Sequence, residues 1–156
     1  MGNRTKIPKM PSGGLRLLVA VDFSAESLRA LRAARGLRTR AGGSITLLHV
    51  RPSSDVRAAV LEERGDLLKQ PAGTLRQAIA SHYEGKLAAL VKAREKESWK
   101  ISRGRADVEI CREARRGYDM LFMGSRGQGA VSNLLIGSTV QALLRLSPIP
   151  VVVLPR

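Results

Sequence analysis

The chain has 156 residues, the length of one ordinary domain, which can bury a core without disulfide or metal staples. Apolar residues make up 44% and aromatics only 3%, so the core must come from Leu, Val, Ile and Ala. The formal net charge of +14 predicts a surface that attracts polyanions, yet so few aromatics argue against stacking on single-stranded nucleic acid.

One cysteine, Cys111, excludes an internal disulfide and reads as a small buried hydrophobe on a helix. His49 and His82 lie too far apart in sequence to suggest a zinc site. No apolar run approaches the roughly 18 residues that span a bilayer. The opening MGNRTKIPKMPSGG is polar and basic with no apolar stretch, unlike a secretory signal. Lys6 stands where a myristoylation signal takes Ser or Thr. The expectation is a cytoplasmic protein with a basic, disordered tail over residues 1–14 and one domain over 15–156.

Leu15–Val21, LRLLVAV, is an apolar run of strand length, closed by Asp22-Phe23-Ser24. Ser24 can cap a helix over 25–40 that sets Leu28, Leu31, Ala34 and Leu37 near one face, with Arg29, Arg32, Arg35, Arg38 and Arg40 as a solvated basic face. Gly42-Gly43 ends it. SITLLHV, residues 44–50, is a second strand, and 55–71 a weak helix or loop. A longer helix over 72–96 spaces Leu75, Ile79, Tyr83, Leu87 and Leu90 helically, with Gly85 weakening it by about 1 kcal/mol. Tyr83 and Trp99 read as packing residues.

Residues 99–103 are a short, charged third strand. A helix over 106–116 carries Val108, Cys111 and Ala114. Tyr118–Met123 is a fourth strand, 137–146 a helix with Ser138 as its cap, and Val151–Leu154 the last strand. Strands apolar on both faces, alternating with helices, predict an α/β fold: a single-domain open, mostly parallel five-stranded sheet with helices on both faces.

In such sheets ligands bind beyond the carboxyl ends of the strands, at the switch in strand order. Asp22, Val50 and a glycine-rich stretch after strand four all fall there. Gly124, Gly127, Gly129 and Gly137 allow close backbone approach, and an anion can sit on the N–H groups of such a loop. Gly137-Ser138-Thr139 opens a helix whose first N–H groups suit phosphate, with two hydroxyls beside them. The common phosphate motifs do not fit. Ala130-Val131 replaces the Lys and Ser/Thr of a P-loop, and Ser132 replaces the third glycine of a dinucleotide fingerprint.

The spacing Gly124, two residues, Gly127, nine residues, Gly137-Ser138 resembles the nucleotide-binding signature of the universal stress protein family, ATP-binding branch. The resemblance covers residues 15–156 and includes VAVDFSAES, ITLLHV, YDMLFMGSRG and PIPVVVL. It implies a Rossmann-like fold with strand order 3-2-1-4-5 and an adenine-nucleotide site. Asp22 would contact a ribose hydroxyl, and the backbone at Val50 would read adenine. Met123 and Gly124 would line the nucleoside pocket. Gly127, Gly137, Ser138 and Thr139 would hold the phosphates of ATP, with Mg or Mn bridging them. It also implies a homodimer through Val151–Leu154.

From the residues alone, alternatives stay open. Asp22 could instead cap the first helix, Gly137-Ser138 could be an ordinary helix start, and Arg126 could steady phosphate or face solvent. WKISRGRAD departs from the family's apolar third strand and predicts a distorted edge. Leu134, Leu135 and Ile136 are expected to anchor the loop. No catalytic constellation stands out, so slow ATP hydrolysis would be a by-product of binding. The other functional reading is a nucleotide-free interaction protein whose basic surface meets acidic partners or nucleic acid.

Overall fold

The computed structural model describes residues 12–52, 72–92, 95–127 and 136–155, with backbone alone over 72–76. Most of the expected tail, the weak segment at 55–71, and Gly129, Leu134 and Leu135 lie outside the described residues. Along the chain run β1 (Leu15–Ala20), α1 (Ala25–Ala41), β2 (Gly43–Arg51), α2 (Ala72–Leu90), β3 (Glu97–Arg103), α3 (Ala106–Ala114), β4 (Met120–Gly124), α4 (Ser138–Leu146) and β5 (Val151–Leu154). The five strands form one parallel sheet in the order β3-β2-β1-β4-β5.

Alternation along the strands divides the core in two. Leu17 and Val19 of β1 and Ile45 and Leu47 of β2 face Ala30, Leu31 and Ala34 of α1 and Leu87 of α2. Leu18 of β1 and Leu48 of β2 face the other way, with Ile110 and Cys111 of α3 and Val140 and Leu143 of α4. Burial of both strand faces explains the near-continuous apolar runs. Ser24 caps α1 as expected, its side chain accepting from Ser27 N–H, and Gly42 ends the helix at φ 72°.

Of the apolar residues on α3, Cys111 and Ala114 are buried with Glu109, Ile110 and Glu113, while Val108 is exposed. Two expectations need correction. Ile136 is also exposed and does not anchor the loop. The third strand is neither short nor distorted. It pairs continuously with β2 from Ile45↔Glu97 to Arg51↔Arg103.

Its charges are absorbed by distant partners. Arg35 of α1 donates to Glu97 from Nε at 2.8 Å and from Nη2 at 2.7 Å. Lys100 pairs with Glu113 at 2.5 Å, and Tyr118 donates its hydroxyl to the same carboxylate at 2.9 Å. Trp99 and Ile101 pack on the core. The α1 arginines are thus not simply a solvated face. Besides Arg35, Arg38 binds Glu95 through both its carbonyl and its carboxylate, and Arg29 donates to the Pro155 carbonyl.

Candidate functional site

The carboxyl ends of β1, β2 and β4 and the N-termini of α1, α3 and α4 surround a cleft of about 380 Å³. That volume lies in the range of small-molecule pockets. All nine residues singled out from the sequence line it: Asp22, Val50, Met123, Gly124, Arg126, Gly127, Gly137, Ser138 and Thr139. Residues as far apart as Asp22 and Thr139 meet because β1 and β4 are neighbours at the switch in strand order.

Asp22 is tied down by its own turn. Its Oδ1 accepts from Ser24 N–H at 3.0 Å and from the Ser24 hydroxyl at 2.5 Å. Ser24, not Asp22, then caps α1. The other oxygen, Oδ2, lies against Gly127: a Cβ there would come within 2.9 Å of it. The carboxylate is therefore held at the lip of the cleft, opposite the glycine loop. Such a group can accept from a sugar hydroxyl.

Gly124 is required by close packing. A Cβ at this position would sit 2.6 Å from Glu26 Cβ and 2.9 Å from Ser27 N. The end of β4 thus runs directly against the first turn of α1. Ser125 N–H donates to the Leu154 carbonyl at 2.8 Å, and its own carbonyl accepts from Gly137 N–H at 3.0 Å. Those bonds hold the two glycine-bearing segments side by side.

Ser138 is not the cap of α4. The N-cap is Gly137, which offers no side chain, and Ser138 is the first helical residue. The helix start therefore presents backbone N–H groups with no side-chain cap beside the hydroxyls of Ser138 and Thr139. This is the chemistry that receives a phosphate.

The backbone of β2 has a second consequence. In a parallel ladder, alternate residues direct their N–H and C=O to opposite neighbours. Leu48 accepts from Val21 on the β1 side, and Arg51 accepts from Gly104 on the β3 side. Val50 shares the parity of Leu48, so its polar groups point to the β1 side, beyond where β1 has ended. Phe23, at φ 65°, turns the chain away there.

Behind this edge lies a ring cluster on the opposite sheet face. His49 is buried, with its Nδ1 2.7 Å from the Val21 carbonyl. Phe23 and Tyr83 lie 4.9 Å and 4.6 Å from its ring, so Tyr83 is a packing residue as expected. The fold brings His82 to the same tyrosine, at 5.4 Å. Burial pushes the His49 pKa below its ordinary value, against the opposing pull of the Val21 carbonyl and Asp22. Since a carbonyl only accepts, the neutral ring carries its proton on Nδ1.

Sequence reasoning missed the apolar wall of the cleft: Leu48 of β2, and Ala106 and Ile110 of α3. The signal was present, since Leu48 and Val50 share a strand face and Ala106 and Ile110 a helix face. What was missing was the knowledge that α3 packs over that end of β2. Among the described residues, no group of three or more His, Cys, Asp or Glu could hold a metal ion. A divalent cation would depend chiefly on oxygens supplied by the ligand.

The sequence model of the Universal stress protein family matches residues 15–155. The chain belongs to the universal stress protein family. A universal stress protein of Mycolicibacterium smegmatis is 31% identical over 144 residues, covering 88% of this chain and 47% of that protein. The chain thus spans about half the length of that relative. The fold of the solved hypothetical protein MJ0577 superposes with a TM-score of 0.75 at 24% identity, over 92% of this chain and 97% of the other. A universal stress protein solved in complex with cAMP aligns at a TM-score of 0.57 and 17% identity, covering 92% and 98%. For this universal stress protein the expected sheet order is observed. No helix among the described residues is long and apolar enough to cross a membrane.

Proposed function

We propose that this universal stress protein binds an adenine nucleotide, ATP, in the cleft and serves as a stress-response or regulatory module whose interactions depend on the bound nucleotide. The observation that carries this reading is the convergence of an uncapped helix start, a close-packed glycine turn and a fixed carboxylate on one cleft with an apolar wall. The parts divide by chemistry. Leu48, Ala106 and Ile110 suit a base, Val50 offers backbone polar groups at its edge, Asp22 faces a ribose, and Gly127, Gly137, Ser138 and Thr139 face phosphates. Arg126 adds positive charge on the cleft wall. Mg or Mn would offset phosphate charge, held chiefly by the ligand's own oxygens with the Ser138 and Thr139 hydroxyls of the cleft wall as protein donors.

A relative solved with cAMP supports an adenine nucleotide as the ligand class. Asp22 is the carboxylate on the cleft wall and already accepts two hydrogen bonds from Ser24, which makes it a poor general base. The reading is therefore a binding module in which any hydrolysis is slow. Purified protein should release ATP on denaturation or give heat on titration with Mg-ATP, with cAMP and GTP as comparison ligands. An absence of both released nucleotide and heat would sink it, and would favour an interaction protein acting through its basic surface.

The expected homodimer would form through β5. This strand is at the edge of the sheet, and all four of its residues are half-buried in a single chain. An open apolar edge invites pairing with a second copy. Val152→Lys should shift the mass measured by light scattering from dimer to monomer. A wild-type monomer at all concentrations would remove this part of the reading.

A further inference from the structure

We propose that His49 is a positioning residue for recognition of the base: by occupying the Val21 carbonyl it keeps the backbone edge of Val50 open toward the cleft. This rests on the nucleotide reading of the same site. The β1–β2 ladder has a regular rhythm, in which Val21 N–H donates to the Leu48 carbonyl at 2.9 Å. Continued by one rung, Val50 N–H would donate to the Val21 carbonyl. Instead the His49 ring reaches that carbonyl at 2.7 Å from the opposite face of the sheet.

The ring is well placed to hold it. It is buried, and Phe23 and Tyr83 flank it at 4.9 Å and 4.6 Å. Phe23 has the left-handed backbone that swings β1 away from β2. The cations Arg51 and Lys86 sit over the flanking rings of Tyr83 and Phe23. One side chain thus ties the residue before Asp22 and, through Phe23, packs against the residue after it. The carboxylate facing the ribose and the backbone facing the base are set by the same ring.

The consequence is a loss selective for the nucleoside end of the ligand. His49→Leu removes the donor while remaining apolar. His49→Asn keeps an N–H donor near the position of Nδ1. Each variant is titrated with ATP, adenosine and inorganic tripolyphosphate, alongside a melting curve. His49→Leu is expected to weaken ATP and adenosine by about tenfold or more and to leave tripolyphosphate within about twofold, whereas His49→Asn stays within about threefold of wild type for all three.

Equal affinity of wild type and His49→Leu for adenosine overturns the proposal while leaving the nucleotide site standing. A parallel loss of all three ligands and of melting temperature in both variants also overturns it, because the ring would then be merely structural. If the wild-type protein binds neither ATP nor adenosine, the nucleotide reading itself falls and takes this inference with it.

Discussion

Gly127→Val should lower the affinity for Mg-ATP by at least about 100-fold, or roughly 3 kcal/mol, with the melting temperature almost unchanged. Gly127 is exposed at the lip of the cleft, so the core does not register the substitution. The first added carbon already comes within 2.9 Å of Asp22 Oδ2. A small shift of Oδ2 relieves this contact at little cost to the fold, but it displaces a carboxylate whose other oxygen Ser24 holds by two hydrogen bonds. The two remaining methyls of valine would intrude on the space beside the carboxylate, where the proposed nucleotide would put its ribose and phosphates. Calorimetry and thermal melting of one preparation separate the two effects. Unchanged affinity would take the glycine loop out of the site.

Glu97→Ala should destabilise the fold by about 3 kcal/mol, since it removes the only carboxylate paired with Arg35 among the described residues and leaves the largely buried guanidinium with just the Leu90 carbonyl at 2.6 Å. The Glu97 side chain is fully buried, and Arg35 is only 21% exposed. The carboxylate accepts from Arg35 Nε and Nη2 and from Lys92 N–H at 2.9 Å. One interaction thus joins α1, the end of the α2 segment and β3. Burial works to raise the Glu97 pKa, but the Arg35 and Lys92 hydrogen bonds outweigh it and hold the carboxyl below its ordinary value.

The linkage follows from that direction. The unfolded chain takes up the proton first as pH falls, so stability present above the ordinary carboxylate value is lost as pH drops through it toward the folded value. Wild-type denaturant midpoints should therefore fall on acidification below about pH 4.5, and the Glu97→Ala variant should lack that share of the slope. A variant with the wild-type midpoint at neutral pH would show that β3 does not depend on the pair.

β3 is also where reading from sequence fell short. WKISRG looks too polar for a buried parallel strand, and no local rule says that Arg35 and Glu113 will neutralise Glu97 and Lys100. Propensity and periodicity see neighbours along the chain, whereas these partners lie 62 and 13 residues away. Val108, apolar yet exposed, shows a related limit. Periodicity places a residue on a face, but which face is buried depends on what packs there, and α3 turns Ile110 and Cys111 inward.

The cap of α4 shows the same limit at the scale of one residue. Ser138 has the chemistry of a cap, but Gly137 has the extended backbone and its carbonyl accepts the first helical bond from Gln141 N–H, so Gly137 is the cap and Ser138 the first helical residue. That shift of one position leaves the helix start without a side-chain oxygen and strengthens the case for an anion there.

By itself the sequence determined the strand and helix alternation, the parallel sheet and the glycine-bearing side of the cleft with Asp22 opposite it. These follow from apolar runs of strand length, Ser24 at a helix start and glycines after β4, all local signals. Tertiary structure alone decided how the charges of β3 are balanced and that Ala106 and Ile110 close the cleft. It also decided that the buried imidazole of His49 takes the carbonyl beside Asp22. Each of these depends on contacts between elements distant along the chain, whose geometry exists only once the sheet has formed.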